Sequence, residues 1–248
     1  MSAKYKVALS VFVDEAVKLN PICIYLFGGF GREMAREDWS DIDILLVYKE
    51  FNSNLFKAIS ELKGRIDRDH AIDLDINVLF ENEVARGQLL SIKYNAKHTD
   101  IFSGRPNIAQ ILYGQIEPVG NKRQEDITAN KFQINQAVYQ FRKSFIEGKY
   151  KTFGIKDIKT YIKKTFSTIR ASLIIIGHYV HPYEDLVDQL RKLFPDYDVG
   201  ILEKLIAIRN RNTTLQGIIF AELYVEIYEF IERYIAFINS EMEKEGML

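Results

Sequence analysis

Apolar residues change their spacing once along this chain of 248 residues, near residue 120, and that change limits the fold more than any other feature. Before it, helical and strand-like runs alternate. Leu9, Phe12, Val13, Ala16 and Val17 recur at helical spacing, Pro21 interrupts, and ICIYLF follows as a short β-rich run. IDILLVY is a second buried run, and Leu55, Ile59 and Leu62 mark an amphipathic helix. AIDLDINVLF alternates over its length, with Ile72, Leu74, Ile76 and Val78 on one face and Asp73, Asp75 and Asn77 on the other. A helical VARGQLLSIKYNAK comes next, and SGRPNIAQILYGQIEPVGNKRQED then gathers Gly, Pro and polar residues in the manner of a boundary. Beyond it strand signals nearly vanish. KFQINQAVYQFRKSFIEG, IKDIKTYIKKTFSTIRASLIIIG, EDLVDQLRKLF and GILEKLIAIRN carry helical periodicity, and the last stretch places Leu223, Ile227, Phe230, Ile231, Ile235 and Ile238 on one stripe. The expected architecture is an α+β (mixed α/β) domain over residues 1–120 followed by an all-α helical bundle over residues 121–248. The short connections IGHYVHPYED and FPDYDVG suit antiparallel helices.

The totals exclude several classes. A content of 47% apolar and 27% charged residues is that of an ordinary globular protein rather than a disordered one. A single cysteine, Cys23, inside an apolar run rules out a disulfide framework and reads as a buried, inert thiol in a reducing compartment. No apolar stretch approaches the roughly 20 residues of a membrane span, and the N-terminus lacks the apolar core of a signal peptide, so the chain is expected in the cytoplasm and away from membranes. A net charge of -1 gives no global argument for binding nucleic acid.

The chemistry concentrates in LFGGFGREMAREDWSDIDILLV, residues 26–47. In SDIDILLV the strand period aims Asp41 and Asp43 at one side and Ile42 and Ile44 at the other. Two carboxylates held that close favour protonation of one of them unless a cation compensates. A pair of Mg²⁺ ions meets that need, since Mg²⁺ binds through one or two carboxylates plus substrate phosphates. Two such ions, roughly 3.5–4 Å apart, assist an in-line displacement with pyrophosphate as leaving group. A third acid completes such a site, and periodicity alone leaves both Asp73 and Asp75 as candidates. FGGFGR, directly after a strand-like run, lets backbone amides approach a triphosphate, and Arg32 adds a charge-assisted contact. Neither a Walker A loop nor a dinucleotide fingerprint is present.

These residues resemble the signature of the DNA polymerase β-type nucleotidyltransferase superfamily: an apolar residue, Gly, Gly or Ser, a spacer, then Asp-x-Asp in a strand. The closest likeness is to its minimal nucleotidyltransferase group, whose usual form is FGS-x-ARG followed by SDIDLLV. This chain has Gly29 for the serine, Gly31 for the alanine, and Glu33 for the glycine after Arg32. The resemblance covers about residues 5 to 105 and implies a nucleotidyltransferase fold, a nucleoside triphosphate (NTP) donor and two Mg²⁺ ions. It implies transfer of a nucleoside monophosphate to an acceptor hydroxyl, with release of pyrophosphate. By the same resemblance Asp41, Asp43 and Asp75 are metal-binding and catalytic, and Gly28, Gly29, Arg32 and Ser40 bind nucleotide. Asp75 is preferred to Asp73 because INVLFENEV follows it in the phase that the family uses before its next helix.

The helical half is similar to HEPN domains, which accompany minimal nucleotidyltransferases. RNRNTTLQG supplies Arg209 and Arg211 with their asparagines but no following histidine, which argues against an active ribonuclease. The acceptor hydroxyl belongs to a small molecule, a protein or RNA, and a homo-oligomer is allowed. Two other functions remain open: a fused toxin-antitoxin-type module that binds nucleotide or RNA with little turnover, and an aminoglycoside-type antibiotic nucleotidyltransferase. Plainer readings stand beside these. His178 and His181 read as turn residues, and the lysines from 149 to 164 with Tyr150, Phe153 and Tyr161 read as a solvated basic face before they read as a nucleic-acid track.

Overall fold

The computed structural model describes residues 3–33, 35, 41–86, 96–102, 108–117, 123–180, 182–210, 219–244 and 246. The chain divides into two compact units, Met1–Glu125 and Asp126–Leu248.

The first unit is built on a four-stranded sheet. Its elements are α1 (Ala3–Val17), β1 (Cys23–Phe27), a one-turn α2 (Gly28–Gly31), β2 (Ile42–Tyr48), α3 (Ser53–His70), β3 (Leu74–Phe80), α4 (Glu81–Arg86), α5 (Ala96–Ile101) and β4 (Gln110–Gly114). The strand order is β3-β2-β1-β4. β1 runs antiparallel to both its neighbours, and β2 runs parallel to β3, as a strand–helix–strand crossover through α3 requires. Asn52 starts α3: its side chain accepts from the N–H groups of Asn54 (2.9 Å) and Leu55 (3.4 Å), which satisfies two of the helix's unpaired donors.

Alternation along the strands divides the apolar residues between two layers. On one face Ile24, Leu26, Ile42, Ile44, Leu46 and Leu74 pack against Ala8, Phe12 and Ala16 of α1 and Ile59, Leu62 and Ile66 of α3. On the other, Cys23, Tyr25, Phe27, Leu45, Val47 and Leu79 meet Val84 and Phe102. Cys23 is fully buried, and burial pushes its thiol up to about 11, in keeping with an inert residue.

The stretch read as a polar boundary needs correction at its centre, because Gln110–Gly114 forms β4 and pairs with β1. β4 is a short edge strand with a bulge opposite Ile24 and Tyr25, and only Leu112 of its side chains joins the α1/α3 layer. So weak an alternation, closed by Gly114, looks like a turn. In the helical reading of VARGQLLSIKYNAK, residues 87–95 lie outside the described residues, and the flanking parts form α4 and α5.

The second unit contains only helices among its described residues: α6 (Arg123–Ile146), a 3-10 turn (Lys149–Thr152), α7 (Ile155–Ile175), α8 (Tyr183–Leu193), α9 (Gly200–Asn210) and α10 (Phe220–Lys244). The fold class is thus a mixed α+β sheet domain followed by an all-α region. α10 packs on α7, on the 3-10 turn and on α9, burying Leu223, Ile227, Phe230, Ile231 and Ile238 as the stripe predicts. Tyr224 and Tyr234 are fully buried too, whereas Ile235 is only half-buried. Their hydroxyls are satisfied: Tyr224 donates to the Phe141 carbonyl (2.5 Å), and Tyr234 shares a hydrogen bond with Ser172 (2.5 Å). Tyr150 stacks on Tyr224 and Phe145, while Phe153 and Tyr161 stack on each other and meet Tyr224 edge-on, so the three rings serve packing rather than an exposed track. His178 closes α7 in a turn, where its N–H donates to the Leu173 carbonyl (2.8 Å) and its Nδ1 meets Gln189 (3.2 Å). His181 lies outside the described residues.

Candidate active site

The site begins where β1 ends. Phe27 pairs with Asp43 across the antiparallel ladder, so the chain leaving β1 must turn beside a carboxylate. Gly28 makes that turn at φ +66°, and a Cβ there would lie 1.9 Å from Asp43 Oδ2. Gly31 closes the turn equally tightly, since a Cβ on it would lie 2.4 Å from the Leu26 carbonyl oxygen. Gly29 is half-buried within the same turn. Arg32 follows, half-buried, with its N–H bonded to the Phe30 carbonyl. Glu33 adopts φ +61°, a left-handed conformation that a side chain disfavours.

Three of the predicted carboxylates can now be placed. Asp43 is buried on the face opposite α1 and α3, with 9% of its surface exposed. Asp75 is its direct partner on the parallel strand β3, one strand spacing away, and Asp41 precedes β2 as an exposed residue. Asp73 is set apart. Its carboxylate meets Lys63 of α3 at 3.3 Å and its carbonyl accepts from the Ile42 N–H, an arrangement that belongs to the start of the ladder. Ser40 lies outside the described residues.

A residue that the sequence reading passed over completes the group. Lys97 of α5 places its ammonium 2.9 Å from Asp43 Oδ1 and 5.5 Å from the centre of the Phe27 ring. Asp75 is exposed, yet its carboxyl is held above the usual carboxylate range. Burial against the sheet is the main cause, Lys97 opposes it, and the charges of Asp43, Asp41 and Asp73 add to it. The signal for Lys97 was indirect: two aspartates on one strand face require a positive neighbour, and nothing in the local spacing names it.

For a hard divalent cation the donor set fits in kind, being carboxylate oxygen throughout, and in backbone level, with Asp43 and Asp75 in register. The glycine turn brings the backbone so close to Asp43 that a Cβ on Gly28 would clash with its carboxylate. The side chains themselves do not yet converge. Among the described residues no three His, Cys, Asp or Glu side chains form a metal-holding group, and Asp43 is turned to Lys97.

A family model for the nucleotidyltransferase domain matches residues 9–165, more than half of the chain and all of the site just described. The chain belongs to this family. The nucleotidyltransferase match runs from α1 through the sheet and ends within α7 of the second unit. No curated protein sequence matches the chain. Among solved structures, the chain is similar to a crystal structure of a toxin-antitoxin MntA-HpeT mutant, at 16% identity and a TM-score of 0.27, over 59% of this chain and 98% of that one.

Proposed function

We propose that this nucleotidyltransferase-family chain transfers a nucleoside monophosphate from an NTP to an acceptor hydroxyl and releases pyrophosphate, with two Mg²⁺ ions at Asp41, Asp43 and Asp75. The observation that carries the reading is the glycine turn seated against Asp43, with Asp75 level with it on the next strand. Mg²⁺, when bound, supplies Lewis-acid stabilisation of the phosphoryl oxygens and of the leaving group. The chain does the rest. Gly28 and Gly29 let the backbone come close to the triphosphate, and Arg32 and Ser40 add polar contacts to it. Asp75 orients the acceptor hydroxyl for in-line attack and takes up its proton.

In the same proposal the helical unit is HEPN-like and without nuclease activity. Arg209 favours the absence of nuclease activity, since its guanidinium lies 4.6 Å from the centre of the Tyr183 ring, which itself stacks on the buried Phe166 at 4.2 Å. An arginine stacked in this way is a packing element. Arg211 and Asn212 lie outside the described residues. The acceptor is a hydroxyl of a small molecule, a protein or RNA.

A second reading, a nucleotide-binding module with little turnover, is favoured by the engagement of Asp43 with Lys97. One experiment separates the two. The full chain is incubated with α-labelled NTPs and Mg²⁺, with and without candidate acceptors, and label transfer and pyrophosphate release are measured beside the Asp43→Asn variant. Transfer is expected to require both Mg²⁺ and Asp43. Nucleotide binding that is indifferent to Mg²⁺ and to Asp43, without pyrophosphate release, would establish the second reading.

A further inference from the structure

Lys97 raises a question that the proposed chemistry leaves open, because its ammonium already occupies an oxygen that a metal ion would need. Its Nζ donates to Asp43 Oδ1 at 2.9 Å and rests over the Phe27 ring, immediately before the glycine turn. Its charge is also felt at Asp75, where it opposes the neighbouring carboxylates. The backbone carrying it is fixed, since Ala96 and His98 on either side are buried. The side chain is not enclosed: 53% of it is exposed, against 12% for the Asp43 side chain. A flexible four-carbon stem on a fixed base, more than half of it exposed, can swing off the carboxylate without any change in the fold.

We propose that Lys97 is a resident counter-cation, which neutralises Asp43 before the metal arrives and must be displaced from it for a divalent ion to bind. This rests on the reading of Asp43 as a metal ligand. Three acids of like sign at the ends of β2 and β3 repel one another, and Lys97 keeps that cluster compatible with folding when no ion is bound. The same contact lowers the affinity for the ion, because ammonium and metal compete for one carboxylate oxygen. A positively charged residue at this position therefore sets the concentration of divalent ion at which the site fills.

The test uses the full chain and Mn²⁺, with free Mn²⁺ counted by electron paramagnetic resonance and the Asp43→Asn variant defining the Asp43-dependent component. Lys97→Met keeps the length of the stem and removes the charge, so its Asp43-dependent affinity is expected to rise at least fivefold. Lys97→Arg keeps the charge and should bind within about twofold of the parent. A second measurement needs no variant. Acetylation of the unmodified chain by an activated ester, followed residue by residue by mass spectrometry, should show Lys97 reacting at least threefold faster once Mn²⁺ is added, with the exposed Lys57 unchanged. If Mn²⁺ binds through Asp43 but Lys97→Met binds no tighter and Lys97 is labelled no faster, Lys97 is only a structural ion-pair partner and the counter-cation proposal is wrong. If no variant shows Asp43-dependent Mn²⁺ binding, the metal-site reading itself falls, and this proposal with it.

Discussion

On the sheet face covered by α1 and α3, β2 turns in Ile42, Ile44 and Leu46, and the layer continues without a charge through Phe12, Leu26 and Leu74. On the opposite face the same strand turns out Asp43, Leu45 and Val47, and β3 sets Asp75 level with Asp43. The strand period makes these two sets inseparable: a slip of one residue in β2 would put Asp43 into the apolar layer and Ile44 into the site. The packed face thus fixes the register that the chemistry on the other face depends on. It also confines the charges to the starts of β2 and β3, beside the end of β1, while Leu45, Val47 and Leu79 keep the remainder of that face apolar.

The sharpest way to break this comparison is to damage each face separately. Phe12→Ala empties a fully buried site in the α1 layer and should cost about 3–5 kcal/mol in urea unfolding, while leaving nucleotidyl transfer near normal at temperatures where the chain remains folded. Asp43→Asn and Asp75→Asn should do the reverse, lowering the rate of pyrophosphate release by about 100-fold or more, equivalent to about 2.7 kcal/mol of barrier, with the unfolding midpoint little changed for Asp43→Asn and not lowered for Asp75→Asn. Asp73→Asn should cost much less, since that carboxylate lies with Lys63.

A smaller effect tests the join between the faces. Gly28→Ala would set a methyl against Asp43 Oδ2 at a positive φ, so it should destabilise by about 1–3 kcal/mol and also lower turnover by displacing the carboxylate. If the variant is as active and stable as the parent, the turn does not hold Asp43.

The dependence on pH sharpens the comparison further. The folded chain raises Asp75 above its ordinary 3.8 and so holds that proton more tightly than the unfolded chain, which means stability is lost as pH rises through the raised value. Asp75→Asn escapes that loss. In denaturant titrations it should be more stable than the parent at neutral pH, with the difference closing as pH falls below about 3.8. The smallest effect expected is a gain: Glu33→Gly removes a side chain from the left-handed region and should raise stability by a few tenths to about 1 kcal/mol in thermal or urea unfolding.

What could be read from the sequence follows the same division. β1, β2, β3, α1, α3 and the α10 stripe rest on local periodicity, which short windows reveal, and so does the placing of Asp41 and Asp43 on one side of a strand. Lys97 could not be read, because its contact with Asp43 spans 54 residues and lies in a run whose spacing says only that it is helical. β4 was hidden by its own weakness, half-buried and ending in glycine. The burial of Tyr224 and Tyr234 could not be read either, because each hydroxyl needs an internal partner, which depends on where Phe141 and Ser172 stand in space.

The placing of β4 at the edge also bears on the order in which the sheet assembles. β1 and β2 are close in the chain, and β2 reaches β3 through a single helix, so these pairings close early. β4 meets β1 only across residues 28 to 109, a separation that slows its arrival far more than it weakens the finished sheet. Until then one edge of β1 is bare, and β1 is a strand whose five residues are all buried in the native chain. The half-assembled sheet therefore carries a sticky apolar edge, and the short, partly polar strand that looks least important in the sequence is what closes that edge to neighbouring chains once it docks.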